Sequence, residues 1–471
     1  MSDFFNQPLF WLYLTLYSGL VMATLLHMLY QQRSPQNLMA WLLTLLLLPY
    51  IGVILYLVFG TRKFFIKHTK NPIALQPESA LIDDNSLAQK SDRILKANGL
   101  SGTSEHNHIE ILHNDNEIFN TFLNAIENAV FSIRIETYIF ELDPTGQRIL
   151  EALTLKAQQG VDVCLLLDGI GSYALYHHQK KLHAFMAQGG KVAFFHPAMR
   201  ALFKVQINLR NHRKIYLFDD HTLLTGGMNL SNDYLGPAYP PSNQRWKEFM
   251  LKISGSACAH YVKIFAEDWY YTTAQTLSVP KPKQLNLKPT LTHHHLLQVV
   301  PSGPDIAGEP LLEVLLQSLY SAQDRIQIIT PYFIPDSSVL NALLIALKRG
   351  VKVQLFTPET SDHIIFDLGR SSYTRELAEA GAEVFYFTDS MLHAKLLLID
   401  QKAMISGSAN LDYRSLYINY EVVNLIYSET LMNQTQKWID QLKPSCILYT
   451  PTQSRARRLL ENLTRIVAPI L

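Results

Sequence analysis

Two stretches of the chain repeat one chemical pattern: His212-x-Lys214-x4-Asp219-x6-Gly226-Gly227-x-Asn229 is matched by His393-x-Lys395-x4-Asp400-x6-Gly407-Ser408-x-Asn410. With 17 histidines in the chain and roughly one chance in twenty for each fixed residue, one H-x-K-x4-D arises by accident about 0.04 times. Two of them, with Gly and Asn at the same offsets, indicate a duplicated site. Both His-x-Lys pairs open apolar stretches, Ile215–Phe218 and Leu396–Ile399, that read as strands, and residues two apart on a strand share a face. Imidazole and ammonium therefore project together. Each Asp falls where its strand ends, and Thr222–Thr225 or Ala403–Ser406 returns as an antiparallel partner. This fold-back predicts Asn229 opposite His212 and Asn410 opposite His393, with the aspartates better placed for structure than for substrate contact.

Two histidines and two lysines, without a clustered set of carboxylates or cysteines for a metal, suit attack on a phosphodiester. Its negative charge repels nucleophiles, and two ammonium groups would clamp its non-bridging oxygens and stabilise the charge that develops. One neutral imidazole then attacks phosphorus while the opposing imidazolium protonates the leaving oxygen. A covalent phosphohistidine divides the reaction into two displacements, the protonating histidine acting as base in the second. Each imidazole also needs an acceptor for its other nitrogen. Glu421, 28 residues after His393, and its counterpart Glu248, 36 residues after His212, are the expected orienting carboxylates.

The surrounding elements repeat as well. Helix, strand, helix and strand are expected at Glu117–Ala129, Ser132–Phe140, Thr145–Gln159 and Asp162–Leu167. They recur at Pro310–Ala322, Arg325–Phe333, Ser337–Lys348 and Lys352–Phe356. Gly160-Val161 and Gly350-Val351 enter the second strand of each set, and Pro280, Pro282 and Pro289 mark the break between halves. Helices alternating with short β-branched strands predict an α/β architecture in duplicate, each half a mixed sheet flanked by helices. Residues 61–107 read as a linker holding one short helix near Ser86–Ala97. The halves are expected at 108–285 and 286–471.

The first sixty residues hold two long apolar runs, Pro8–Tyr30 and Leu38–Phe59, free of Asp, Glu, Lys and Arg. As helices each reaches about 33 Å, enough to span a bilayer, so a two-helix transmembrane hairpin is expected. No basic start or A-x-A site marks a cleaved signal. Arg62, Lys63, Lys67 and Lys70 crowd the exit of the second run, which puts both ends and the catalytic part in the cytoplasm. The formal net charge of +1, from 41 basic and 40 acidic residues, gives no general attraction to nucleic acid. Cys164, Cys258 and Cys446 show no metal or disulfide spacing.

The paired motifs resemble those of the phospholipase D superfamily, and within it the bacterial cardiolipin synthases over nearly the whole chain. The likeness extends to Leu48-Pro-Tyr-Ile-Gly-Val-Ile-Leu-Tyr-Leu-Val-Phe-Gly60, Thr330-Pro-Tyr-Phe-Ile-Pro-Asp336, Ser408-Ala-Asn-Leu-Asp-Tyr-Arg-Ser415, Asn419-Tyr-Glu421 and the tail Glu461–Leu471. The resemblance implies two tandem phospholipase D-like domains about a pseudo-twofold axis. It also implies an inner-membrane, multi-pass enzyme that turns two phosphatidylglycerols into cardiolipin and glycerol without metal or cofactor. By the same resemblance His212 is the nucleophile and His393 the general acid. Lys214, Lys395, Asn229 and Asn410 hold the phosphate, and Asp219 and Asp400 support the site. Gly227 stands where the second motif has Ser408, so the half-sites should be asymmetric.

Other features point less sharply. Leu459, Leu463, Ile466 and Ile470 recur at helical spacing beside Arg455, Arg457, Arg458 and Arg465, as in an amphipathic helix that lies on anionic lipid or docks on the protein. His293-His294-His295 cannot easily converge on one ion, since neighbours on an extended segment point to opposite faces. Tyr138 and Tyr332 occupy matching strand positions, in a substrate pocket or in the aromatic core. Membrane-bound nuclease, lipid hydrolase and transferase to another acceptor are the rival chemistries.

Overall fold

The computed structural model describes residues 8–30, 35–48, 50–60, 86–197, 207–236, 244–277 and 295–451, and 454, 457–459, 461, 462 and 465 beyond them. The chain forms two units, one of residues up to 66 with Met199–Asn208 and one of the remainder. In the first, Pro8–Tyr30 is a single helix, and its Trp11–Tyr30 stretch, with mean hydropathy 1.6, is long and apolar enough to cross a membrane. The second run departs from expectation. Pro35–Leu47 is helical, Tyr50 takes a left-handed φ of 65°, and the chain resumes as Ile51–Leu55 and a π-turn over Tyr56–Gly60. The single helix expected over Leu38–Phe59 is thus interrupted between Leu47 and Ile51, where the sequence holds Pro49, a residue type that has no N–H to continue a helix. His27 Nδ1 meets Tyr56 Oη at 2.7 Å and the Tyr50 hydroxyl donates to the Tyr13 carbonyl at 3.1 Å, tying the two runs together. Met28, Leu45, Val53 and Tyr56 are buried between them, while Trp11, Leu16, Leu26 and Leu29 face outward.

The catalytic unit is built on one continuous sheet of fifteen strands. The first half supplies β1 (Ser104–Leu112), β2 (Ser132–Thr137), β3 (Asp162–Asp168), β4 (Lys191–Phe195), β5 (Ile215–Phe218), β6 (Thr222–Gly226) and β7 (Met250–Ser254). In the second are β8 (His295–Ser302), β9 (Arg325–Ile329), β10 (Phe333–Ile334), β11 (Lys352–Pro358), β12 (Glu383–Phe387), β13 (Leu396–Ile399), β14 (Ala403–Gly407), β15 (Leu411–Asp412), β16 (Glu421–Tyr427) and β17 (Cys446–Leu448), of which β10 and β15 form a separate pair outside the large sheet. One half runs β4-β3-β2-β5-β6-β7-β1 and the other β12-β11-β9-β13-β14-β16-β8, the same order, with β17 added at an edge. β1 and β8 join antiparallel, Ser104 opposite Leu297, and make the seam of a pseudo-twofold arrangement.

Local chemistry explains the elements. Asn114 caps the Asp115–Asn128 helix by accepting from Asn116 N and Glu117 N, and Asp143 caps Pro144–Gln158 ahead of a first-turn proline. Gly160 and Gly350, at φ 88° and 86°, take the left-handed turn that leads each second helix into a parallel strand. The strands expected over Ser132–Phe140 and Arg325–Phe333 stop at Thr137 and Ile329. In the second half Pro331 cannot donate to a ladder, and Phe333–Ile334 pairs instead with Leu411–Asp412.

The segment expected as linker up to residue 107 is shorter. The Leu87–Ala97 helix, capped by Ser86, belongs to the catalytic unit: Asp92 Oδ1 accepts from Thr103 N at 2.7 Å, Gln298 Nε2 donates to the Ala88 carbonyl at 2.8 Å, and Leu95 is fully buried. β1 also begins at Ser104, ahead of the expected start at 108. Residues 61–85, and the inter-half stretch with its three prolines, His293 and His294, lie outside the described residues, and so do Arg455, Leu463, Ile466 and Ile470 of the tail. Its described part docks on protein. Arg458 bonds Glu379, Arg465 bonds Glu376 and Arg375 bonds Glu461, at 2.8, 2.7 and 2.7 Å.

Candidate active site

Each motif is a hairpin, as its spacing predicted. Ile215 pairs with Thr225 and Phe218 with Thr222; Leu396 pairs with Ser406 and Ile399 with Ala403. Asp219 and Asp400 occupy the turns at φ 51° and 52°, a conformation that aspartate tolerates better than most residues. Their carboxylates turn away from the histidines and gather backbone donors from the loop before the central strand: Val130, Phe131 and Ser132 N–H groups on Asp219, and Gln323, Asp324 and Arg325 on Asp400, at 2.6–3.2 Å. Burial alone would raise the Asp400 carboxyl, but the three N–H groups outweigh it and hold it below its ordinary value.

At the other end of the hairpins the two halves exchange partners. Asn211 forms a parallel bridge with Tyr420, and Lys247 forms one with Leu392. His212 N donates to the Tyr420 carbonyl at 2.9 Å, and His393 N to the Lys247 carbonyl at 2.8 Å. One residue further along, the side chains meet. His212 Nδ1 lies 3.0 and 3.1 Å from the two Glu421 oxygens, and His393 Nδ1 bonds Glu248 Oε1. Both glutamates orient imidazoles, but each serves the histidine of the opposite half. Sequence spacing pairs each Glu with its own motif; the parallel bridges across the seam pair it with the other.

The two imidazoles and two lysine amines of the site share one buried centre. Burial lowers the His212 imidazole, against Glu421, and the nearby Lys214 and Lys395 charges add to the lowering. His393 is lowered well below its usual value by burial and then by Lys395, Lys214 and His212. Burial also pushes Lys214 down to about 7 and Lys395 to about 8, and raises the Glu248 carboxyl to about 7. Lys214 Nζ donates to the His212 carbonyl at 2.8 Å, and Lys395 Nζ to that of His393 at 2.6 Å.

The expected asymmetry has a physical form. Ser408 Oγ donates to Glu421 Oε2 at 2.5 Å and receives Val422 N at 3.0 Å, so its hydroxyl steadies the carboxylate that holds His212. At Gly227 a Cβ would stand 2.8 Å from Glu248 Oε2 and 3.0 Å from Lys395 Nζ, so a side chain there would have to displace the end of Glu248, and Glu248 lacks such a hydroxyl. The asparagines differ too. Asn229 accepts from Ile139 N at 3.3 Å and donates to the Tyr234 hydroxyl at 3.0 Å, whereas Asn410 buries an Oδ1 without a hydrogen-bond partner. Neither sits opposite its histidine. Continued past Ile215–Thr225 and Leu396–Ser406, the register would set Met228 and Ala409 there, and the chain leaves the ladder first.

Tyr138 meets His212 edge-on at 5.1 Å between ring centroids, and Tyr332 meets His393 at 6.5 Å, so both border the site. Sequence reasoning missed Tyr234 and Trp246, packed on His393 at 5.2 and 5.0 Å. Trp246, two residues before Glu248 in a strand-like stretch, was the available signal. Arg213, the spacer of the first His-x-Lys, was also missed. Fully buried, it donates to the Glu421 and Ser302 carbonyls at 3.2 and 3.1 Å and to Asp268 Oδ2 at 2.5 Å, while its counterpart in the second motif is Ala394. A long cation between a histidine and a lysine of the motif, matched by alanine, marks a strut present in one half only. Among the described residues no group of three or more His, Cys, Asp or Glu side chains converges as a metal ion requires.

Two half-sheets of equal strand order, joined at a seam where paired His/Lys centres exchange carboxylates, define a phospholipase D-like transferase. The family model described as the phospholipase D-like domain of cardiolipin synthase matches residues 122–269 and 315–443, and that of the phospholipase D-nuclease N-terminal segment matches 19–60. Cardiolipin synthase 1 of Bacillus anthracis is 32% identical over 465 residues, 94% of this chain and 90% of that one. Cardiolipin synthase A of Pseudomonas aeruginosa is 31% identical over 465 residues, 95% and 93% of the two chains. Phosphatidylserine synthase of Haemophilus influenzae shares the fold, with a TM-score of 0.58 at 17% identity over 77% of this chain and 95% of that one. The chain belongs to the cardiolipin synthase family.

Proposed function

We propose that the protein is a membrane-anchored cardiolipin synthase that transfers a phosphatidyl group from one phosphatidylglycerol to a second and releases glycerol. The observation that carries this reading is the single buried centre holding two carboxylate-oriented imidazoles and two ammonium groups. Lys214 and Lys395 neutralise the phosphodiester oxygens. In the first displacement Nε2 of one imidazole bonds to phosphorus, the bond from phosphorus to the glycerol oxygen breaks, and the opposing imidazolium gives that oxygen its proton. In the second, the same opposing imidazole, now neutral, takes the proton from a headgroup hydroxyl of the second lipid. That oxygen attacks phosphorus, and the P–N bond breaks.

The family resemblance makes His212 the attacking group. The reverse order has its own support, because His393 is lowered more strongly beside Glu248, itself raised to about 7, which favours a neutral imidazole on that side, while at His212 Glu421 works against the lowering by burial. Mass spectrometry of peptides from enzyme trapped with a slow lipid substrate decides between them, since the phosphatidyl adduct lies on residue 212 in the first case and on 393 in the second. The charge bias after the second apolar run supports a multi-pass anchor in a bacterial inner membrane with a cytoplasmic catalytic unit. Cysteine accessibility just after Lys70 tests it.

Product analysis on phosphatidylglycerol vesicles with EDTA present tests the reaction itself. Cardiolipin and glycerol are expected from the full chain and from neither His212→Ala nor His393→Ala. Phosphatidic acid alone would make the protein a hydrolase, and no turnover would refute a phosphatidylglycerol substrate.

A further inference from the structure

Each half places exposed apolar side chains in the same topological slot beside the site. After β11 the chain enters the Ile364–Glu379 helix, whose first turns expose Ile364 (75%), Ile365 (60%) and Leu368 (42%). Residues spaced i, i+1 and i+4 lie on one helix face, and the opposite face, with Arg370, Tyr373 and Leu377, is buried. Phe366, within the same turn, packs on Tyr332 at 4.5 Å between centroids, and the Tyr332 hydroxyl donates to Asp362 at 2.5 Å. Tyr332 in turn borders His393, so the isoleucines stand two aromatic rings from the reacting centre. In the first half the matching slot follows β3. There Ser172 Oγ donates to the carbonyl of Tyr138, which edges His212, and the next residue, Tyr173, is half exposed.

Ile364 and Ile365 keep most of their surface exposed, and Leu368 and Tyr173 about half of theirs. The tail contacts Arg375, Glu376 and Glu379 at the far end of the helix and, among the described residues, leaves its first turn exposed. The site itself is recessed, with the His212 and His393 side chains 14% and 5% exposed. A lipid with two acyl chains reaches such a site only if the rim meets the bilayer from which it is drawn. The chain carries a helix able to cross that bilayer. Asp362, Asp367 and His363 flank the isoleucines and no exposed Lys or Arg lies within four residues of them, so contact would rest on apolar insertion, not attraction to anionic headgroups.

We propose that Ile364, Ile365 and Leu368 form a wedge that enters the acyl boundary of the membrane and seats the mouth of the active site at headgroup level, with Tyr173 on the opposite rim. This rests on the lipid-substrate reading above. In the full chain, with Cys446→Ser removing the one native thiol that is not buried, Ile364→Cys carrying an environment-sensitive fluorophore is reconstituted in phosphatidylglycerol vesicles containing brominated acyl chains. Strong quenching, unchanged by high salt, is expected. Ile364→Asp/Ile365→Asp should lose at least tenfold in turnover on vesicles yet stay within twofold of the parent on monomeric short-chain phosphatidylglycerol. An unquenched probe, or equal loss on both substrates, overturns the wedge. Quenching is read without turnover, so quenching with no cardiolipin formed would refute the synthase reading and leave the wedge standing.

Discussion

Ser408 and Gly227 show how one position can divide a symmetric site. The Ser408 hydroxyl bonds a carboxylate, and a hydrogen bond to a charged group contributes about 1.5–3 kcal/mol. Ser408→Ala should therefore lower kcat roughly tenfold or more with a smaller effect on KM, read by steady-state kinetics. The lysines set the alkaline limit. A lysine with a lowered value is charged below it and neutral above, so with Lys214 near 7 and Lys395 near 8 the phosphate clamp is lost as pH rises, and kcat/KM should begin to fall above about pH 7 and steepen above about pH 8. The histidines, lysines and aspartates were legible in the sequence because their spacing encodes a strand, a turn and a returning strand. The pairing of Glu421 with His212 was not, because it depends on a bridge between Asn211 and Tyr420, 209 positions apart in the chain, which no local period records.

At the scale of elements, the turn aspartates join each motif hairpin to the loop that feeds the central strand. Asp400→Ala should expose three backbone N–H groups to loss of their acceptor, at about 1–3 kcal/mol each if left dry and less where water enters, with a fall in Tm seen by calorimetry before any change in substrate affinity. Its sign with pH is fixed. A carboxyl held below its unfolded value contributes stability that is full above about pH 4 and is lost as pH falls through the folded value, so the mutant should lose most near neutrality and converge with the parent in acid. The helices and strands around these loops were readable from capping residues, apolar periodicity and Gly160 or Gly350. A signal for the interruption between Leu47 and Ile51 was in the sequence too, as Pro49, yet the unbroken apolar composition of Leu38–Phe59 outweighed one proline. The early end of β2 follows from tertiary demand, since Tyr138 leaves the ladder to edge the site.

Across the whole molecule, the β1–β8 seam and Arg213 make two repeats into one catalyst. Arg213 lies in the first motif yet holds the backbone of Glu421 and of β8 in the second, so breaking its buried pair with Asp268 should cost about 3–5 kcal/mol. Residues 1–285 and 286–471 produced separately should each be inactive, and produced together should recover turnover wherever the seam re-forms, as product analysis of co-expressed fragments would show. Activity in either fragment alone would contradict the exchanged carboxylates. That two similar halves meet in one centre was readable from the duplicated motif; which edge joins them was not, because β1 and β8 carry none of the motif residues.

The exchanged carboxylates also bear on how such an enzyme is made. A ribosome delivers His212 and Glu248 long before Glu421 and His393, so the emerging first half owns an imidazole and a carboxylate that are not partners. It lacks the second imidazole and the carboxylate that orients the first. Catalytic competence arrives only once the second half has been made and the seam has joined it to the first.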